Sequence, residues 1–223
     1  MNKFFNFTAN FIRIHQVDYY LELVRSLGCQ LNPGNPLLIV SEEQQKEAEQ
    51  LLKILGIEKS EKLVGISPGA TYGSAKQWFP ENYSELADRI TQNLGARILL
   101  FGSRGDKKIA SQVIQKTRIP LVDLTGDTTL GQAMALASRC CLFISNDSGL
   151  MHVAAALRVP LIAIFGSTDP KRTGPRGENC RVIRKYMPCS PCMKAECTED
   201  RRCMSLISVD EVYHEAVRVF KRD

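Results

Sequence analysis

Residues 141–152 read Cys-Leu-Phe-Ile-Ser-Asn-Asp-Ser-Gly-Leu-Met-His, an apolar strand that stops at a small polar loop before a helix begins at Gly149. The free amides at a helix N-terminus favour negatively charged ligand groups such as phosphate. Asp147 adds a carboxylate that can take ligand hydroxyls, and His152 lies four residues after Ser148 on the same helix face. The stretch therefore predicts a site for a ligand with both phosphates and sugar hydroxyls. The alternative is that Asn-Asp-Ser only caps the helix, since these residue types favour that position.

A second loop with the same layout favours the ligand site over the simple cap. Residues 63–67 indicate a buried strand, and the loop that follows contains small residues and Lys76 before a helix begins at Pro80. Small residues suit a close approach of the backbone to a ligand, and the lysine offers a cation for a leaving phosphate. A loop lysine alone is more often solvated, so the matching chemistry of the two loops supports the functional interpretation.

The composition is that of an ordinary globular protein. The 223 residues are enough to bury a full core, and 44% hydrophobic with 24% charged residues is typical of soluble chains. No apolar run approaches the ~20 residues of a membrane span, and the first seven residues lack the apolar core and cleavage site of a signal peptide. We therefore expect a cytoplasmic protein.

The net charge of +5 is unevenly placed along the chain. Residues 168–202 contain nine Lys or Arg against five Asp or Glu. Such a basic segment fits phosphate-rich ligands or an anionic membrane surface, and a solvated charged loop is the alternative. Nucleic acid is not expected as a partner, because stacking aromatics do not alternate with the basic residues.

From residue 63 onward, apolar segments of strand length alternate with segments of helical periodicity. We predict strands over residues 63–67, 96–101, 121–123, 141–145 and 160–165. We predict helices near residues 81–94, 105–116, 129–138, 149–157 and 208–220. Continuously apolar strands in this alternation are typical of an α/β protein with a Rossmann-like, doubly wound parallel sheet. Ligands of such sheets bind at the carboxyl ends of the strands, where both loops lie.

The first 60 residues do not follow this alternation. Apolar positions at helical spacing predict a helix over residues 17–27, and a capping box of Ser41 and Gln44 opens another that ends near Gly56. His15 and His214 are isolated in the sequence, so we expect solvated or partly buried roles for both.

Five motifs together carry a family resemblance. They are Ser-Pro-Gly-Ala-Thr-Tyr-Gly-Ser-Ala-Lys-Gln-Trp-Phe-Pro-Glu (67–81), Leu-Phe-Gly-Ser (100–103), Asp-Leu-Thr-Gly (123–126), Asn-Asp-Ser-Gly-Leu-Met-His-Val-Ala-Ala-Ala (146–156) and Phe-Gly-Ser-Thr-Asp-Pro (165–170). The combination closely resembles the ADP-heptose:lipopolysaccharide heptosyltransferases of glycosyltransferase family 9, most of all the heptosyltransferase II group. The likeness extends from about His15 to the C-terminal helix.

The resemblance implies a GT-B architecture, in which two Rossmann-like domains face each other across a cleft. It implies that this chain is the C-terminal half, with residues 1–60 a remnant of the N-terminal domain and interdomain linker, and residues 61–223 the nucleotide-sugar donor domain. The implied reaction is a metal-independent, inverting transfer of heptose from ADP-heptose to a lipid-linked heptosyl-Kdo acceptor of the lipopolysaccharide inner core. The family's acidic general base has no counterpart in this sequence, so we expect the chain alone to bind donor without transferring sugar. The alternative is a non-catalytic nucleotide-sugar binding module or an inactive fragment.

The family's site residues carry over onto named positions of this sequence. Lys76 and Asp147 are the implied catalytic residues, Lys76 neutralising the diphosphate leaving group and Asp147 holding the sugar or phosphates. The implied donor-binding set adds Thr71, Ser74, Ser103, Ser148, Gly149, His152 and Thr168. No Asp-x-Asp pair is present, so a lysine and helix dipoles must stabilise the leaving group, and catalysis requires no cofactor.

Four of the eight cysteines, Cys189, Cys192, Cys197 and Cys203, lie close together in the sequence. A Cys-x2-Cys pair followed by two more thiols is a common zinc pattern, because four thiolates satisfy tetrahedral zinc. The spacing of the second pair is looser than usual. A structural zinc therefore stands beside two alternatives, which are reduced surface thiols and a redox-formed bridge.

Overall fold

A computed structural model describes residues 14–31 and 34–221, and within them six strands form one parallel sheet. The strands are β1 (Lys62–Ser67), β2 (Ala96–Leu100), β3 (Val122–Asp123), β4 (Leu142–Asn146), β5 (Leu161–Phe165) and β6 (Cys180–Arg184). Their spatial order is β3-β2-β1-β4-β5-β6, and every neighbouring pair is parallel. This is the order of a doubly wound Rossmann-type sheet, so the predicted fold class is confirmed.

Helices connect the strands in the predicted alternation. They are α1 (Gln16–Ser26), α2 (Glu42–Ile54), α3 (Pro80–Leu94), α4 (Lys107–Lys116), α5 (Leu130–Ser138), α6 (Gly149–Ala156), α7 (Pro170–Thr173), α8 (Arg202–Ser205) and α9 (Val209–Phe220). The capping box of Ser41 and Gln44 opens α2 as the sequence predicts. Within the part of the chain that the structure describes, no helix is long and apolar enough to cross a membrane.

The basic segment 168–202 is not a simple loop, because it contains β6 and the one-turn helix α7. Strand β6 lies at the edge of the sheet, and among the described residues it pairs only with β5. Its sequence, Cys-Arg-Val-Ile-Arg, places two arginines among partly exposed positions, so it lacks the continuous apolar run of the central strands. That difference explains why the sequence does not predict it.

Side chains cover both faces of the sheet, as the apolar strands predict. On one face α3 and α9 pack on the strands, with Trp78, Tyr83 and Leu86 fully buried. On the other face Phe101, Phe143, Phe165 and helices α5 and α6 form a second core, which Ala48 and Leu52 of α2 join. Parallel strands that are covered on both faces are typical of α/β proteins, and the loops considered below follow their carboxyl ends.

The crevice of this sheet lies between β1 and β4. Chain order runs from β1 outward to β3 and then crosses to β4 on the other side of β1. The loops after β1 and β4 therefore leave in opposite directions, and a crevice opens between them. The loop after β1 carries Lys76, and the one after β4 carries Asp147.

Candidate functional site

An ion pair between Lys76 and Asp147 forms the centre of the crevice. Lys76 ends a short 3₁₀ turn, Ser74–Lys76, in residues 68–79, which we name the β1 loop. Lys76 Nζ lies 2.7 Å from Asp147 Oδ2, and only 13% and 5% of the two side chains are exposed. The structure thus joins the two residues that the sequence predicts as catalytic, although 71 positions separate them.

The surroundings of this pair add a contact to the prediction for Lys76. The sequence predicts a cation for a leaving phosphate, and the structure shows that this ammonium is bound to a carboxylate and lies 4.9 Å from the centre of the Tyr72 ring. The Thr173 hydroxyl lies 3.3 Å from Asp147 Oδ2 and donates to it. An arriving anion must therefore share the ammonium with Asp147. Because the pair is shielded from water, leaving either partner alone is costly.

The N-terminus of α6 is open toward the crevice. Ser148 is its N-cap residue, but the described structure shows no capping hydrogen bond from that side chain. The Ser148 hydroxyl instead lies 2.9 Å from the Ser145 hydroxyl. Gly149 is exposed, and no described atom lies within 4 Å of the position that a Cβ would take there. Side-chain capping therefore does not account for Ser148, and there is room for a ligand beside the first-turn amides.

Asn146 ties the β1 loop to the end of β4. Its Oδ1 accepts from the Trp78 amide at 3.0 Å and from the Tyr83 hydroxyl at 2.9 Å. Its Nδ2 donates to the carbonyls of Pro68 at 2.7 Å and Gly69 at 3.3 Å. This fully buried amide thus uses both donors and both acceptor positions. The sequence predicts only a cap residue here.

Two histidines lie near the ion pair, one of them unexpected. His152 is one turn into α6, and part of its ring stays exposed. Partial burial lowers the pKa of His152 below its ordinary value, Asp147 opposes this shift, and the charge of Lys76 adds to it. The imidazole is therefore neutral at pH 7. His15 is partly buried, which agrees with the expectation from the sequence, and it makes three hydrogen bonds that the sequence does not predict.

The remaining predicted residues lie on loops at the same edge of the sheet. Thr71 and Ser74 are exposed in the β1 loop. Ser103 follows β2, and its hydroxyl donates to Asp106 at 2.7 Å, so a local cap already engages it. Thr168 follows β5 with its side chain buried, and its hydroxyl has no hydrogen-bond partner among the described residues. Ligand contact by these four residues stays a prediction.

The segment 187–203, which we name the cysteine loop, is hydrogen-bonded to the β1 loop. The Ala75 amide donates to the Ala195 carbonyl at 2.9 Å, and the Tyr72 hydroxyl donates to the Met193 carbonyl at 2.8 Å. The Met193 amide in turn donates to the Ser167 carbonyl, which follows β5, at 2.8 Å. The cysteine loop therefore links the loops after β1 and β5. Sequence reasoning missed this role because these backbone contacts leave no pattern in the side chains.

Replacing Gly73 by alanine is expected to disturb the β1 loop. Gly73 has φ +154°, and an added Cβ would lie 2.2 Å from the Ala195 carbonyl oxygen, so the β1 loop or the cysteine loop must move. Overpacking of this kind costs about 1–3 kcal/mol. Urea denaturation should show that loss, and titration with an anionic ligand of the site should show weaker binding. Gly34→Ala is the matched control, since no described atom lies within 4 Å of its Cβ position. Equal stability of the two variants would mean that the loops do not depend on this contact.

The four clustered cysteines line one small cavity of about 40 Å³. All eight cysteines lie within the described residues, and none of them forms a disulfide there. Burial raises the pKa of Cys203, and the charges of the other three thiols raise it further. Nevertheless, no group of three or more His, Cys, Asp or Glu side chains within residues 14–31 and 34–221 is arranged to hold a metal ion. The structure therefore does not support the zinc interpretation of Cys189, Cys192, Cys197 and Cys203.

Fold and site together define the class of protein. A doubly wound parallel sheet, with a charged pair and an open helix N-terminus at its crevice, is the arrangement of a Rossmann-like α/β protein. The chain belongs to glycosyltransferase family 9 (heptosyltransferase), whose sequence model matches residues 5–202. The family resemblance of the five motifs is thus confirmed.

Individual relatives support the same assignment. Lipooligosaccharide heptosyltransferase 2 of Haemophilus influenzae is 38% identical over 158 residues, which are 67% of this chain and 44% of that protein. The solved structure of Escherichia coli ADP-heptose LPS heptosyltransferase II is 29% identical with a TM-score of 0.74, over 87% of this chain and 56% of that one. A family 9 glycosyltransferase from Veillonella parvula is 25% identical with a TM-score of 0.81, over 94% and 61%. The chain therefore spans about half the length of the relatives that it matches.

Proposed function

We propose that this chain binds the nucleotide-sugar donor of a heptosyltransferase, which transfers heptose from ADP-heptose to the lipopolysaccharide inner core. Residues 61–223 are the proposed donor domain. The shielded Lys76–Asp147 pair beside the open N-terminus of α6 carries the proposal, in a chain that belongs to this family. We also propose that the lipid-linked heptosyl-Kdo acceptor binds the N-terminal domain of the two-domain family architecture, opposite residues 61–223.

In the proposed mechanism, Lys76 and the first-turn amides of α6 receive the diphosphate. These groups are positioned before the reaction, so they stabilise the negative charge that develops on the leaving group without reorganising. Asp147 orients the ammonium and presents an oxygen to sugar hydroxyls. The neutral His152 can donate one hydrogen bond to a phosphate or hydroxyl oxygen without adding a full charge.

The basic segment, residues 168–202, has fewer unpaired cations for contact with an anionic membrane than its composition suggests. Four of its nine cations are already in ion pairs, namely Arg176 with Asp18, Arg184 with Asp169, Lys185 with Glu211 and Arg202 with Asp200. Peripheral contact with the inner membrane stays a prediction, and vesicle sedimentation with and without anionic lipid tests it.

Calorimetry with ADP and ADP-heptose tests the donor proposal. The Asp147→Ala variant is expected to bind ADP at least as well as the wild type, because the Lys76 ammonium is released for the diphosphate. Its affinity for ADP-heptose should fall by about 5-fold or more, since a carboxylate bond to a hydroxyl is lost. Glu49→Ala, which removes an exposed partner of Lys59, is the control. Equal losses for both ligands would place Asp147 on the nucleotide. An absence of ADP binding by the wild type would overturn the proposal.

A transfer assay separates the proposed activity from non-catalytic nucleotide-sugar binding. The purified protein is incubated with ADP-heptose and the lipid-linked heptosyl-Kdo acceptor, and released ADP is measured. Donor binding without turnover would support the binding-module alternative for this chain.

The four cysteines of the cavity are expected to behave as reduced thiols. Elemental analysis of protein purified without added metal should find well under one zinc per chain, and all four thiols should react with a thiol reagent after denaturation. One zinc per chain, lost together with the Cys189→Ser and Cys192→Ser changes, would show instead that metal binding rearranges the cysteine loop.

A further inference from the structure

His15 joins the helix α1 to the edge of the donor site. As N-cap residue of α1, it accepts the Val17 amide on Nδ1 at 3.2 Å, and the same nitrogen accepts Arg176 Nε at 3.1 Å. Both of these partners can only donate, so Nδ1 carries no proton. The ring proton is therefore on Nε2, which donates to the Gly174 carbonyl at 2.9 Å. The hydrogen bonds thus require one neutral tautomer of His15.

The Gly174 carbonyl is one residue away from a partner of the ion pair. Gly174 ends α7, and its amide donates to the Pro170 carbonyl at 2.8 Å. The turn is tight, because a Cβ on Gly174 would lie 2.4 Å from that same oxygen. The preceding residue, Thr173, donates its hydroxyl to Asp147 Oδ2. The position of Gly174 is therefore coupled through the chain to the Thr173–Asp147 contact.

Polar contacts hold α1 on this edge. None of its eleven residues is buried, so apolar packing contributes little to its docking. Arg176, which bonds His15, also pairs with Asp18 in the first turn of α1. His15 and Arg176 together connect α1 to the segment after α7.

We propose that His15 is a positioning residue of the donor site, whose Nε2–H bond to Gly174 holds α7 so that Thr173 reaches Asp147. The inference rests on the proposed donor site and adds a residue from outside the two main loops. By linkage, it also makes the docking of α1 and the binding of the sugar part of the donor mutually favourable.

Two conservative variants separate this role from simple helix capping. The amide of asparagine can replace Nδ1, so His15→Asn keeps the cap and the Arg176 bond but cannot reach Gly174. The longer amide of glutamine can replace Nε2, so His15→Gln keeps the Gly174 bond and loses the cap. His214→Asn, at an exposed position of α9, is the control. Melting temperatures of all variants report helix capping and folding separately from ligand binding.

The measurement is the affinity for ADP and for ADP-heptose by calorimetry. His15→Asn is expected to bind ADP-heptose about 3- to 10-fold more weakly while changing ADP affinity by less than 2-fold, the range of one lost hydrogen bond. His15→Gln should bind both ligands like the wild type despite a lower melting temperature. If His15→Asn keeps its affinity for ADP-heptose and His15→Gln loses affinity, His15 acts only as the N-cap of α1. Unchanged ADP-heptose affinity in both variants would also overturn the inference. The proposed donor site is tested separately, by the affinity of the wild type for ADP.

Discussion

Replacing Lys76 by methionine is expected to weaken ADP binding by about 1.5–3 kcal/mol, or roughly 10- to 150-fold. Methionine keeps the unbranched apolar stem but removes the ammonium. The variant also leaves Asp147 without its partner at 2.7 Å, and that carboxylate is only 5% exposed. An unpaired buried carboxylate repels the arriving diphosphate, so the loss should lie toward the upper end of this range. Calorimetric titration of the variant with ADP measures it.

A second substitution separates the two causes of this loss. In Lys76→Met combined with Asp147→Asn, the repelling charge is gone while the ammonium is still missing. Part of the ADP affinity should return, and the coupling between the two changes measures how much Asp147 contributes through its charge. Lys59→Met is the control, since Lys59 is 80% exposed and its pair with Glu49 lies outside the crevice. ADP affinity that is unchanged in the single variant would remove Lys76 from the site.

The sequence predicts that Lys76 and Asp147 lie at the same edge of the sheet, but it does not predict that they form an ion pair. Both residues follow buried apolar strands, and parallel strands bring their carboxyl ends to one edge of the sheet. The pattern contains no information on strand order, and only adjacency of β1 and β4 allows a 2.7 Å contact. The sequence therefore predicts two ligand groups at one crevice and misses that they neutralise each other.

Contacts that the sequence misses are long-range and polar. His15 bonds the Gly174 carbonyl across 159 positions, and neither residue stands out in a periodic pattern. The cysteine loop supports the β1 loop through backbone groups, which every residue possesses. The zinc interpretation of its four cysteines rests on their spacing in the sequence. The positions of the sulfur atoms in space, which decide whether a metal can bind, cannot be read from that spacing.

The hydrogen bonds of Asn146 are further long-range polar contacts that the sequence does not predict. Of the substitutions proposed for this protein, Asn146→Ala should lower the free energy of unfolding most. Alanine removes four hydrogen bonds at once and leaves the Tyr83 hydroxyl and the Trp78 amide buried without their partner. Each such group costs about 1–3 kcal/mol, so a loss of about 3–5 kcal/mol in the free energy of unfolding is expected. Urea denaturation measures it, and Asn93→Ala on the exposed face of α3 is the control.

The Asn146→Asp variant tests whether the hydrogen bonds, rather than the volume of the side chain, account for this stability. One carboxyl oxygen can still accept from Trp78 and Tyr83, but the other faces the Pro68 carbonyl, which lies 2.7 Å from Nδ2 in the native protein. Only a protonated carboxyl can donate to that carbonyl, so the folded state should raise the pKa of the new group above the ~3.9 of an unfolded Asp. A raised acid pKa makes stability highest below the unfolded value and lowers it as pH rises through the folded value. The deficit relative to the wild type should therefore be larger at pH 7 than at pH 4. A deficit that does not change with pH would show that Asn146 acts mainly by filling space between the β1 loop and β4.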